Sequence, residues 1–128
     1  MRLLLDTNRY RDFCDAVPDV VEALATANEI HMSLFMLAEL RAGFMAGTIA
    51  KRNEAVLARF LDRPRIRLCA PDTQTTFLFA QLFAQLRKQG TPIPTHDIWL
   101  GALTLQHELF LYTRDRHFDH LPQVPRWP

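Results

Sequence analysis

The stretch Arg2-Leu3-Leu4-Leu5-Asp6-Thr7-Asn8 decides the fold of this chain. Its three consecutive leucines form an uncharged apolar run, which is typical of a strand that is buried on both faces of a parallel sheet. Asp6 stops the run, and Thr7 is a candidate N-cap for a following helix that carries Tyr10 and Phe13. The pattern therefore predicts a buried strand with an acidic residue at its carboxyl end.

The rest of the chain alternates between short apolar runs and longer segments in which apolar residues follow helical spacing. The further predicted strands span residues 30–33, 66–70 and 109–112, with a short edge strand around Val124. The further predicted helices begin at Pro18, span residues 35–44 and 49–61, and run from 72 to about 89 and from 95 to about 107. This alternation predicts one α/β domain over residues 1–128. We expect an αβα sandwich with a central parallel sheet of four to five strands.

The long helix near the middle of the chain carries clear boundary signals. Asp72 is a candidate N-cap, and Gly90 closes the helix. Its apolar residues form a dense face that includes Phe77, Leu82 and Phe83, and we interpret the two phenylalanines as core or dimer interface.

Composition excludes several classes of protein. The 128 residues are 48% hydrophobic and 23% charged, which is ordinary for a globular domain. No apolar run approaches the roughly 20 residues of a membrane span, and the run at residues 3–5 is too short for a signal peptide, so we expect a cytoplasmic protein. The chain has no glycine-rich phosphate-binding loop and no CxxC pair. Thirteen of the 15 basic residues are Arg, which mildly favours a nucleic-acid partner.

Four carboxylates lie at or near the carboxyl ends of the predicted strands. Asp6 ends the first strand, Glu39 lies one turn into the helix after the second, Asp97 lies in the first turn of its helix, and Asp115 follows the strand at 109–112. Because the carboxyl ends of parallel strands meet at one edge of a sheet, we expect a shared crevice there. Each residue alone could instead be a helix cap, a solvated residue or a turn residue.

A cluster of Asp and Glu without a Cys or His ligand suits a hard cation such as Mg²⁺ or Mn²⁺. The chemistry natural to such a site is cleavage of a phosphodiester by metal-activated water. A distant alternative is a phosphatase with Asp6 as nucleophile, but that enzyme needs a second acid where this chain has Asn8.

Four segments of the sequence resemble the PIN-domain family, and within it the VapC-like ribonuclease toxins of type II toxin–antitoxin systems. The segments are 4–8 (LLDTN), 37–43 (LAELRAG), 93–102 (IPTHDIWLGA) and 111–118 (LYTRDRHF). Their order, their spacing and the chain length all fit, so the resemblance covers nearly the whole chain.

The resemblance implies a magnesium- or manganese-dependent endoribonuclease that acts as a homodimer and pairs with a cognate antitoxin, which covers its site. It implies catalytic and metal-ligand roles for Asp6, Glu39, Asp97 and Asp115. It implies that Asn8 and Thr113 support these ligands through hydrogen bonds. It also implies that the first and fourth strands are neighbours.

Arginines that flank the acidic segments are candidate contacts to RNA phosphates: Arg9, Arg41, Arg114 and Arg116.

Two positions depart from the family pattern. Met36 stands where many relatives have Thr, and His117 stands where relatives often have a further acid, which argues against a second strongly held metal. His117 and His120, three residues apart, have the spacing of a metal-binding pair, but we interpret both as loop or surface residues. The alternative function is a non-catalytic PIN-like module that binds RNA or a partner protein, and the presence of all four acids argues against it.

Overall fold

Strand β1 (Arg2–Leu5) lies inside a four-stranded sheet, hydrogen-bonded to a neighbour on each side. The computed structural model describes residues 1–128, and its sheet also contains β2 (Glu29–Ser33), β3 (Ile66–Cys69) and β4 (Phe110–Tyr112). The strand order is β3-β2-β1-β4, and all three pairings are parallel. Leu5 is paired with Tyr112, so the chain leaves β1 and β4 at the same level.

Helices cover both faces of this sheet. They are α1 (Thr7–Cys14), α2 (Pro18–Thr26), α3 (Leu34–Ala46), α4 (Ala50–Leu61), α5 (Thr73–Gln89) and α6 (Thr95–Gln106), and a 3₁₀ turn spans Arg116–His120. None of them is long and apolar enough to cross a membrane.

Alternation along β1 divides the core into two layers. Leu3 and Leu5 pack with residues of α1 to α4, whereas Leu4 packs with residues of α5 and α6 on the other face. All three leucines are fully buried, because successive side chains of a strand point to opposite faces and both faces are covered here. The predicted αβα sandwich is therefore confirmed.

Two local predictions near the sheet are wrong. Asp6, not Thr7, is the N-cap of α1. Its backbone is extended, and its side-chain carboxylate accepts a hydrogen bond from the Thr7 amide at 2.7 Å. The chain near Val124 forms a single parallel bridge between Leu111 and Arg126 instead of an edge strand. Pro125 accepts a hydrogen bond from Leu111 there but has no N–H of its own with which to extend a ladder.

The apolar residues of α5 are only partly buried. Leu82 is buried, but Phe77 and Phe83 are 63% and 47% exposed. Phe83 follows Leu82 by one residue, which places it about 100° around the helix, where it stacks on Phe79. The ends of α5 agree with prediction: Asp72 caps it in a capping box, and Gly90 ends it at a positive φ of 72°.

Candidate active site

All four predicted carboxylates line one cleft of about 270 Å³ beyond the carboxyl ends of the strands. Ten residues line it and none is hydrophobic: Asp6, Thr7, Asn8, Arg11, Glu39, Pro94, His96, Asp97, Asp115 and His117. The adjacency of β1 and β4 produces this arrangement, because it sets Asp6 beside the loop that follows Tyr112. The Asp6 amide donates to the Tyr112 carbonyl at 3.0 Å and continues the pairing one residue beyond the strands.

Asp6 is held in a fixed orientation by hydrogen bonds from both strands. One of its carboxylate oxygens accepts from the Thr7 amide, and the other accepts from the Thr113 hydroxyl at 2.7 Å and the Asn8 side-chain amide at 3.5 Å. The Thr113 hydroxyl also accepts from the Asp115 amide at 2.9 Å. Asn8 and Thr113 thus lie where the family resemblance implies, between the first and the last of the four acids.

Asp97 enters the cleft from the first turn of α6. Apolar neighbours on this helix, including Ile98 and Leu100, are fully or nearly buried and fix its position against the sheet. The Asp97 amide donates to the Pro94 carbonyl at 3.0 Å. A carboxylate in a first helical turn interacts favourably with the positive end of the helix dipole.

The cleft concentrates negative charge that its surroundings compensate only in part. Burial raises the pKa of Asp6, against the lowering effect of its bonds from Thr113 and the Thr7 amide. Burial also raises the pKa of Asp97, the hydrogen bond from His117 opposes the rise, and the charges of Asp115 and Asp6 add to it. Ionised Asp97 therefore costs the folded state free energy at neutral pH.

Glu39 lies at the rim of the cleft. Residues Met36, Leu37 and Leu40 turn the buried face of α3 toward the core, and Glu39 points away from that face with 47% of its side chain exposed. Its Oε2 atom lies 3.4 Å from His96 Nε2. Its negative charge still acts on Asp6 by raising the pKa of that residue.

His117 lies in the 3₁₀ turn with 44% of its side chain exposed, in keeping with its interpretation as a loop or surface histidine, and it also lines the cleft. Its Nδ1 atom is 2.6 Å from Asp97 Oδ2 and 2.9 Å from Asp115 Oδ1. The hydrogen bond to Asp97 is the main reason why the pKa of His117 is raised. The sequence held one signal for this position, since His117 stands where family members often place an acid.

Most of the arginines predicted to contact RNA are held in ion pairs. The pairs are Arg9–Asp12 at 3.2 Å, Arg114–Asp12 at 2.9 Å and Arg41–Glu54 at 2.8 Å. Arg9 also lies over the ring of Tyr112. Of the predicted four, Arg116 alone is exposed without a carboxylate partner. The arginine that lines the cleft is Arg11, which rests against Gly43 of α3 and pairs with no acid; sequence proximity to the acidic segments did not single it out.

The donor set of the cleft fits a divalent cation. It offers carboxylate oxygens from Asp6, Asp97 and Asp115, two of them from largely buried residues, together with an imidazole nitrogen. The ligand atoms of Asp97, Asp115 and His117 lie within 4.8 Å of one another. Buried carboxylates that repel one another gain free energy when a cation neutralises them.

The fold and the cleft define a class: an αβα domain with a parallel 3-2-1-4 sheet and a carboxylate cluster at the carboxyl edge of its two neighbouring strands β1 and β4. The chain belongs to the PIN domain family, whose model matches residues 4–124.

Curated relatives match along most of the chain. It is 29% identical over 123 residues to plasmid stability protein StbB of Pseudomonas syringae pv. tomato, covering 88% of this chain and 87% of that protein. It is 26% identical over 129 residues to ribonuclease VapC2 of Rickettsia felis, covering 97% and 95%. It is also 26% identical over 127 residues to the tRNA(fMet)-specific endonuclease VapC of Salmonella typhimurium, with the same coverage.

Solved structures share the fold over nearly the full length. VapBC2 of Rickettsia felis bound to a DNA fragment from their promoter superposes with a TM-score of 0.85 at 25% identity, covering 99% of this chain and 98% of that one. DNA-bound VapBC of Salmonella typhimurium superposes with a TM-score of 0.86 at 25% identity, covering 99% and 97%.

Replacing Asp97 by Asn is expected to raise the melting temperature in EDTA at pH 7. The pKa of Asp97 is raised in the folded protein, so the free energy of unfolding falls as the pH rises through the range in which this carboxyl ionises. At a pH above that range, removing the charge stabilises the fold. The Asn side-chain oxygen can still accept the hydrogen bond from His117. Divalent cation is expected to raise the melting temperature of the wild type, and to raise that of the variant less.

Scanning calorimetry with and without Mg²⁺ or Mn²⁺ measures both effects. Asp119→Asn is the matched control, because Asp119 lies outside the cleft and pairs with Arg126. If Asp97→Asn melts below the wild type in EDTA, Asp97 acts mainly as a structural residue at the start of α6 and does not belong to a repulsive cluster.

Proposed function

We propose that the protein is a divalent-metal-dependent endoribonuclease, the toxin of a toxin–antitoxin pair, whose catalytic and metal-binding residues are Asp6, Glu39, Asp97 and Asp115. The observation that carries the proposal is the convergence of these four acids in one cleft of a PIN domain. The names of the relatives support it, since two of them are a ribonuclease and a tRNA-specific endonuclease.

The cation of this proposal is Mg²⁺ or Mn²⁺, held chiefly by Asp6, Asp97 and Asp115. Bound there, it supplies the chemistry of such nucleases by activating a water and by neutralising charge on the scissile phosphate. The protein contributes orientation, because Thr113 and the Thr7 amide fix the carboxylate of Asp6 before any ligand arrives. Glu39 lies at the rim, where its exposed carboxylate would contact RNA that enters the cleft from that side.

The proposed RNA contacts follow from which arginines are free. RNA must approach a cleft that is itself negative, so phosphate contacts at its walls offset the repulsion. Arg11 lines the cleft and Arg116 is exposed beside Asp115, and neither pairs with an acid. Arg9, Arg41 and Arg114 remain candidates that would first have to leave their ion pairs.

A non-catalytic PIN-like module that binds RNA or protein is not favoured. Such a module has no use for buried carboxylates that cost the fold stability. Asp6 and Asp97 are nevertheless only 5% and 6% exposed, and both have raised pKa values.

A cognate antitoxin is the proposed protein partner, and a homodimer is the proposed state of the toxin. Two solved relatives are VapBC bound to DNA, in one case to a fragment from their promoter. A basic side chain of an antitoxin that enters the cleft would pair with several carboxylates at once. The exposed Phe77 and Phe83 on α5 offer apolar surface to a second copy.

Purified protein is expected to cut RNA with Mg²⁺ or Mn²⁺ and to stop in EDTA. Total bacterial RNA, with initiator tRNA included in the panel, is the substrate, and gel electrophoresis follows the cleavage. Asp6→Asn and Asp97→Asn are each expected to reduce the rate by about three orders of magnitude, because a neutral amide binds the cation weakly. Asp119→Asn is expected to retain full activity. Undiminished cleavage in EDTA, or by either cleft variant, would contradict the proposed chemistry.

Arg11→Gln is expected to raise KM for RNA several-fold while kcat changes little, because a phosphate contact outside the reacting atoms binds substrate and transition state alike. The slope of log affinity against log salt concentration is expected to fall by about one unit. Arg87→Gln is the matched control, since Arg87 is exposed and lies outside the cleft. An equal change in both variants would show that Arg11 has no special contact.

Expression of the protein alone is expected to slow growth of a bacterial host, and co-expression of its co-encoded antitoxin is expected to restore growth. Asp97→Asn is expected to leave growth unaffected at the same expression level. A structure of the complex in which the carboxylate cleft remains open to solvent would count against occlusion by the antitoxin.

A further inference from the structure

Asp97, Asp115 and His117 place their potential ligand atoms within 4.8 Å of one another, and of these three residues His117 alone is not a carboxylate. We propose that His117 binds the cation through Nδ1, and that this nitrogen makes the cleft select a first-row transition cation over Mg²⁺. The inference rests on the proposed function only in assuming that the same cleft holds a cation.

The ligand-type atoms around His117 have the spacing of a coordination shell. Nδ1 lies 2.6 Å from Asp97 Oδ2 and 2.9 Å from Asp115 Oδ1. Ligands about 2.1 Å from an octahedral cation lie about 3 Å from each other, so these separations need little change on binding. Asp97 and Asp115 come from different elements, α6 and the segment after β4, and the imidazole joins them.

The position of the imidazole is built into the backbone. The His117 amide donates to Asp115 Oδ1 at 3.0 Å, which starts the 3₁₀ turn and sets the two side chains side by side. Phe118 and Leu121, both fully buried, anchor the turn in the core. The Asp115 amide is held in turn by the Thr113 hydroxyl. His117 is therefore directed into the cleft by its neighbours, although 44% of its side chain is exposed.

The ligand atoms of Asp97, Asp115 and His117 decide which cations this group prefers. Because an ionised carboxylate can only accept hydrogen bonds, the contact between Nδ1 and ionised Asp97 requires the proton to be on Nδ1. A cation that replaces this proton gains carboxylate oxygens and one imidazole nitrogen. Mg²⁺ is a hard ion that takes oxygen ligands, whereas imidazole binds transition cations in the order Mn²⁺, Fe²⁺, Co²⁺, Ni²⁺ of rising affinity.

Two further histidines serve as controls because of where they lie. His96 also lines the cleft, but its Nε2 is 3.4 Å from Glu39 and makes no hydrogen bond. His120 shares the 3₁₀ turn with His117 but is exposed and lies outside the cleft. His96→Asn and His120→Asn therefore test whether any nearby imidazole would suffice.

The experiment measures binding of Co²⁺, Mn²⁺ and Mg²⁺ to the RNA-free protein by titration calorimetry, in the wild type, His117→Asn and His117→Asp. His117→Asn is expected to weaken Co²⁺ binding about tenfold or more and to change Mg²⁺ binding much less. His117→Asp is expected to lower the ratio of Co²⁺ to Mg²⁺ affinity by about tenfold or more. It provides a second variant should the first fail to fold.

Pulsed electron paramagnetic resonance of the Mn²⁺ complex identifies the ligand directly. The wild type, His96→Asn and His120→Asn are expected to show a coupling to one bonded nitrogen, and both His117 variants are expected to lack it. A wild type without that coupling, or a coupling that survives in the His117 variants, overturns the inference and leaves the nuclease proposal intact. The protein could instead show the nitrogen coupling and the expected cation selectivity but fail to cleave RNA with any of the cations bound. That result would support the inference about His117 and reject the nuclease proposal.

Discussion

Desolvated negative charge at the carboxyl end of β1 is the constraint on which this structure depends. β1 is hydrogen-bonded on both sides and covered on both faces, so its last residue, Asp6, can only lie at the edge of the sheet beside the end of β4. Transfer of an unpaired carboxylate into such a place costs several kcal/mol. The hydroxyl of Thr113 and the amides of Thr7 and Asn8 offset part of that cost, and they also hold the group in one orientation. The remaining charge favours a cation in the cleft electrostatically, and the occupants that we propose are a metal ion and the basic side chain of a partner.

Much of the fold could be predicted from the sequence because its signals are local. Leu3, Leu4 and Leu5 form a buried strand, as their uncharged apolar run predicts. Asp72 and Gly90 define the ends of α5 through local capping interactions and a positive φ. The convergence of the four acids also follows from a simple rule, since parallel strands present their carboxyl ends at one edge. Glu39 and Asp97 reach that edge on helices that begin there.

The sequence could not predict which side chains touch across the cleft. His117 contacts Asp97, 20 residues away, because a 3₁₀ turn anchored by Phe118 directs it inward, and no periodic pattern describes such a turn. Arg9 and Arg114 flank the acidic segments as expected, yet Asp12 holds both of them. Phe77 and Phe83 are six residues apart and therefore lie about 120° apart around α5, and both remain exposed. Which apolar residues of α5 become covered depends on how α6 packs against it, and the sequence of α5 alone does not contain that information.

The most direct test of the central claim is the location of a bound cation. A crystal of the protein soaked in Mn²⁺ and measured near the manganese absorption edge would show that ion by anomalous scattering. The account predicts a peak in the cleft, within coordination distance of carboxylate oxygens of Asp97 and Asp115 and on the side that faces Asp6. A cleft without a peak at millimolar Mn²⁺, or peaks only at surface carboxylates such as Asp119, would contradict it.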